Sequence, residues 1–96
     1  MTFGQRLRNL RLREQMTQRE LAAQVGVNHT YLSKLETGHA DTMPSLSLVW
    51  ALADWLHTDR ERLAMLAGYI PDDVMDYLCS NPAALQAVRR LAELAE

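Results

Sequence analysis

Ser33, Ser45, Cys79 and the three histidines, His29, His39 and His57, are among the side chains of this 96-residue chain that could serve as nucleophile, base or metal ligand. Neither serine has a base near it in sequence. The chain has no nucleophile elbow, paired carboxylates or phosphate-cradling loop. His39, His57 and Cys79 lack the spacing that would close a zinc site with His29. Catalysis, a metal and a bound cofactor are therefore not expected. His29 instead stands in a short polar run with Asn28, Thr30, Ser33 and Lys34, and Thr30 and Lys34 are four apart, the spacing that puts two side chains on one face of a helix. What that run offers is hydrogen-bond donors and acceptors for recognition.

Positioning such a run requires short helices and tight turns. Phe3, Leu7 and Leu10 recur at i, i+4 and i+7, predicting a first helix that ends near Gln15 and carries arginines on its outer faces. Thr17 with Glu20 forms a capping box that starts a second helix at Gln18, with Leu21, Ala22 and Val25 as its apolar stripe. Gly26 suits a left-handed stop, Val27 is the apolar residue beyond it, and Asn28 can cap a third helix. That helix buries Leu32 and Leu35 and ends at Gly38, leaving His29, Thr30, Ser33 and Lys34 on faces the core does not need. Two short helices joined this way meet steeply, so one braces while the other projects its N-terminal end. The major groove of DNA accepts a helix of this width.

Composition and charge narrow the function classes. A hydrophobic content of 48% with only 6% aromatic residues predicts one small domain of helices packed through Leu, Ala and Val. A net charge of −2 hides a division. Residues 1–38 hold six cations against three acids, or +3, whereas residues 39–96 hold four cations against nine acids, or −5. A basic face and an acidic body follow. The single cysteine and an arginine-rich N-terminal segment without an apolar core fit a reducing cytoplasm. The longest apolar stretch, Leu46 to Leu56, is broken by Ser47 and Asp54 and is too short to cross a bilayer.

Arg11, the run TQRELAAQVGV from Thr17, the run YLSKLETG from Tyr31 and an apolar helix after Pro44 resemble the helix-turn-helix domain of the phage-repressor and Cro-like family, also called the XRE family. The resemblance covers about residues 3–68. It implies an all-α, five-helix lambda-repressor-like DNA-binding domain and a sequence-specific transcriptional regulator, a repressor binding double-stranded DNA at a two-fold operator as a homodimer. An antitoxin that autoregulates its operon and holds a toxin, or a regulator, as protein partner is the alternative. By this resemblance Asn28, His29, Thr30 and Lys34 occupy recognition-helix positions that reach bases or phosphates. Lys34 is the guanine reader. Gln18 donates to phosphate, against its bland reading as solvated surface. Arg19 and Ser33 belong to the same DNA-binding set, and Tyr31 either touches DNA or packs on the first helix. Arg11 and Glu36 are implied to form a largely buried ion pair between the first helix and the end of the third. One departure is Asp41, in the segment after the third helix where family members often place basic backbone contacts.

The remaining helices are also read from the residues. Leu46, Val49, Leu52, Ala53 and Leu56 predict an amphipathic fourth helix from about Ser45. Thr58 and Glu61 predict a second capping box, with Leu63, Leu66 and Ala67 buried on the fifth helix and Gly68 at its end. Pro71 with two aspartates, and Asn81 with Pro82, predict helices over 71–79 and 82–95. The chain thus divides into a DNA-binding domain over 1–68 and a helical extension over 69–96. Leu85, Val88, Leu91, Ala92 and Ala95 form a narrow apolar stripe on the last helix. It either folds back against Trp50 or Trp55 or serves, with Val74 and Leu78, as a dimerisation seam, and the seam is the favoured reading.

Overall fold

Each of the first five helices starts at a residue whose side-chain oxygen accepts a first-turn backbone N–H, which fixes where the helix begins. The computed structural model describes residues 1–95, with every side chain among them except those of Ala92, Leu94 and Ala95. Its helices are α1 (Phe3–Arg13), α2 (Gln18–Val25), α3 (His29–Thr37), α4 (Leu46–Trp55), α5 (Arg60–Leu66), α6 (Asp72–Ser80) and α7 (Pro82–Ala95). There is no strand among the described residues, so the fold is all-α: a five-helix unit followed by two C-terminal helices. None of these helices is long and apolar enough to cross a membrane.

Thr2 and Gln5 form a reciprocal capping box on α1, as Thr17 and Glu20 do on α2. Asn28 and Ser45 cap α3 and α4. The start of α5 departs from expectation. Asp59, not Thr58, is its cap and accepts from the Arg62 N–H at 3.0 Å. Thr58 is committed elsewhere, because its own N–H closes the end of α4 on the Ala53 carbonyl at 3.0 Å.

That closing bond recurs. Met16 to Arg11, Val27 to Ala22, His39 to Lys34, Thr58 to Ala53 and Tyr69 to Ala64 are all N–H to C=O bonds spanning five residues. In each, the residue just before the donor is left-handed: Gln15, Gly26, Gly38, His57 and Gly68. This geometry satisfies helix-end carbonyls and reverses the chain within one turn. It also explains why α1 stops at Arg13 while Gln15 occupies the turn beyond it.

The core is built from Leu7, Leu10, Leu21, Leu32, Val49, Leu52, Leu56 and Leu63, each nearly or fully removed from solvent. Helix α4 turns Leu48, Val49, Leu52 and Ala53 inward, and Leu46 is only half-buried. On α5 the inward residues are Leu63 and Ala64, and Ala67, which caps its end, is buried with them. Leu66, expected among them, is 43% exposed, because α5 meets α4 through its small residues and turns Leu66 toward Arg6 and His57. Gly4 permits a close approach of two elements. A Cβ there would overlap the carbonyl oxygens of Leu35 and Glu36, so α1 lies directly on the end of α3.

Helices α6 and α7 pack on each other, and α6 has no buried residue. They extend a molecule measuring 44 × 26 × 26 Å. The turn chemistry predicts that Gln15→Gly stabilises the protein by about 0.5–1 kcal/mol, since an exposed β-carbon is relieved of a left-handed backbone. Chemical denaturation would show a raised midpoint at unchanged slope; a lowered midpoint would contradict it.

Candidate nucleic-acid interface

The buried Glu36 carboxylate is the anchor of the α2–α3 pair. Arg11 meets it with two parallel bonds, Nε to Oε2 at 2.7 Å and a terminal nitrogen to Oε1 at 3.0 Å. Both side chains are almost wholly removed from solvent. The remaining terminal nitrogen of Arg11 donates to the Met16 carbonyl at 2.8 Å, in the turn that leads into α2. Gln18, the first residue of α2, donates from Nε2 to the same Oε1 at 3.2 Å. One carboxylate therefore joins α1, the start of α2 and the end of α3, in the planar fork geometry that favours arginine over lysine.

Gln18 thus has a structural partner, which its reading as a phosphate donor did not include. One N–H of the amide is committed to Glu36, and the half-buried amide keeps a second N–H. Arg19 is exposed beside it, and His29 borders the same shallow depression together with Gln15, Met16 and Thr17. The start of α2 and the start of α3 are therefore brought together, although they are separated by a helix and a turn in sequence. The N–H groups of Gln18 and Arg19 lie in the first turn of α2, where helices leave donors without an intrahelical acceptor.

Along α3, Thr30 and Lys34 are exposed, while His29, Tyr31 and Ser33 are half-buried. Asn28 is exposed, but its Oδ1 is used by the cap, accepting from the Thr30 N–H at 2.7 Å. Its amide N–H groups remain available. Lys34 has no ion-pair partner among the described residues. Tyr31 is packed against the core and borders a groove with Val25, Val27 and Thr42, so packing occupies one side of its ring. After α3, the exposed Asp41 leaves the loop without a cation, and His39 shares a 2.8 Å bond with the Thr37 hydroxyl.

Two contributors to this geometry went unread in the sequence. The Thr2–Gln5 box repeats the pattern of Thr17–Glu20, and Gly4 inside a helical pattern is the usual mark of a close backbone approach. The proposed seam residues lie on α6 and α7. Val74, Leu78 and Leu85 are half-buried, Val88 is 49% and Leu91 66% exposed, and the side chains of Ala92 and Ala95 lie outside the described residues.

A family model described as a helix-turn-helix domain matches residues 2–66. No curated protein sequence matches the chain. Among solved structures, a chain of a SinR protein/SinI protein complex is similar in fold, with a TM-score of 0.59 and 22% identity over 98% of this chain and 95% of that one. The similarity therefore reaches past residue 66 and includes the C-terminal helices.

The carboxylate anchor predicts that Glu36→Ala lowers stability by about 3–5 kcal/mol, because it strands the buried guanidinium. The paired change Arg11→Met with Glu36→Leu should recover most of that loss, since it removes both charges. Urea titrations of the three proteins test this; a double variant no better than Glu36→Ala would count against it.

Proposed function

This chain belongs to the helix-turn-helix domain family, and on that premise we propose that it is a sequence-specific DNA-binding transcriptional regulator, a repressor that holds a two-fold operator as a homodimer. The observation that carries the reading is the pairing of an anchored α2 start with an α3 whose Thr30 and Lys34 face solvent. A recognition helix lies in the major groove with its N-terminal residues at base edges, while the preceding helix crosses the backbone. In that arrangement Lys34 donates to guanine O6 and N7, and Thr30 and Asn28 read neighbouring base edges. His29, Ser33 and the free side of Tyr31 make base or phosphate contacts. Arg19, the second N–H of Gln18 and the first-turn amides of α2 hold phosphates, which fix register without reading sequence. The basic charge of residues 1–38 supports this footprint, and family membership supports a binding role over an enzymatic one.

The homodimer is supported by the α6–α7 hairpin. In its stripe Val88 and Leu91 are exposed and Leu85 is half-buried, and no described side chain of either helix is buried. An apolar helix face of this kind is normally covered. A second copy supplies an identical face, and a two-fold operator needs two reading helices about 34 Å apart. The division follows, with residues 1–68 reading DNA and residues 69–96 joining the copies. A second reading is that the hairpin also takes a protein partner, as in a toxin–antitoxin pair; similarity to a chain from a two-protein complex favours it.

Selection of bound duplexes from a random pool should return paired, inverted half-sites. Lys34→Ala should relax preference at one base position by about 1–3 kcal/mol. Arg19→Ala should weaken all sites alike and reduce the slope of log K against log salt by about 0.9. Uniform loss in both variants would remove this assignment of roles. For the seam, Val88→Glu with Leu91→Glu should give a monomer by light scattering and lose the affinity gained from paired sites. A variant that stays dimeric would rule the stripe out.

A further inference from the structure

The hairpin joins the DNA-reading unit through Ala67 to Pro71, and the first part of that linker is stapled to the segment just after α3. Gly68 is left-handed, with φ +103°, and a Cβ on it would lie 2.6 Å from the Met43 sulfur, so Met43 covers its bare face. Tyr69 follows. Its N–H donates to the Ala64 carbonyl at 2.9 Å, its half-buried ring packs on the core, and its hydroxyl donates to the Pro44 carbonyl at 2.7 Å. Pro44 is buried and stands next to Ser45, the cap of α4. Pro71, whose ring fixes φ, then starts α6.

We propose that the Met43–Gly68 contact and the Tyr69–Pro44 hydrogen bond form a staple that sets the direction of the hairpin relative to α3, and thereby the half-site spacing the protein accepts. The proposal rests on the homodimer reading. Within a dimer joined at its hairpins, the two reading helices are related through two copies of this linker. Adding one base pair between half-sites moves one of them by about 3.4 Å and turns it by about a tenth of a revolution. A slack linker absorbs that change; a linker held at Gly68 and Tyr69 does not. Tyr69 and Met43 are thus positioning residues for specificity, acting through the path of the linker. The staple grips the loop that ends at α4, so it bears on the same loop that leaves α3 at Gly38.

The test uses duplexes carrying two copies of the selected half-site, with the spacer varied in single base pairs over one turn. Binding is measured for the full chain, Tyr69→Phe and Met43→Ala, alongside solution mass and melting temperature. Tyr69→Phe keeps the ring and removes only the hydroxyl, and Met43 is more than half exposed, so both variants keep the core. The unaltered protein should favour one spacer sharply. Each variant should remain dimeric, bind a single half-site as before, and lose discrimination against neighbouring spacers, by about fivefold for Tyr69→Phe, the ordinary effect of one hydrogen bond. Variant profiles parallel to that of the unaltered protein, lowered evenly or not at all, would overturn the staple and leave the dimer intact. A monomeric unaltered protein with no spacer preference would overturn the dimer reading, and the staple's role with it.

Discussion

Glu36 holds two oxygens almost wholly removed from solvent, and the bonds that satisfy them tie α1, the start of α2 and the end of α3 together. A buried carboxylate is costly unless its lone pairs are filled, and here they take two bonds from Arg11 and one from Gln18. An apolar trio of the same volume could hold α1, α2 and α3 together with equal or greater stability, but without bonds that fix direction. Gly4 reinforces the constraint by laying the backbone of α1 against the last carbonyls of α3, so the two helices meet without a side chain between them.

The five helix exits solve a second problem. Short helices spend much of their length on termini, where carbonyls lack partners, and a small core cannot tolerate many such groups. The repeated five-residue bond with a left-handed residue ends each helix within one turn and returns the chain toward the core. At α2 the result is the tight connection that brings the start of α3 beside the start of α2. Three exits use glycine. The other two, Gln15 and His57, accept a left-handed β-carbon, and they stand close together: Glu14 contacts the His57 ring, and Arg13 donates to the Leu56 carbonyl.

Local patterns carried most of the fold into the sequence. The helix starts at Thr17, Asn28 and Ser45 and the stops at Gly26, Gly38 and Gly68 were legible because capping is a matter of residue type at short, fixed offsets. Thr58 was misread because two overlapping local rules competed there, and the exit of α4 took the N–H that a cap at that position would have shared. Leu66 was misread because periodicity alone cannot say how closely two helices approach; Ala64 lets α5 sit near α4 and rotates Leu66 outward. Within the site, the face carrying Thr30 and Lys34 follows from helical spacing. The bond from Gln18 to Glu36 does not, because it joins residues whose meeting depends on three helices already being in place.

Trp50 and Trp55 are both partly exposed on α4, five residues apart and so on different sides of the helix. The Arg60 guanidinium lies over the Trp50 ring, 5.6 Å from its centre, and its bonds to Asp54 hold that carboxyl below the usual carboxylate range. Trp50 also borders the groove shared by Tyr69, Ile70 and Met75, where the linker runs into α6. The chain therefore contains a natural optical probe at the junction of its two parts. Changes in linker path or hairpin packing alter the polarity around the Trp50 indole, and replacing Trp55, which lies outside that groove, with Phe would leave Trp50 as the single emitter without any attached dye.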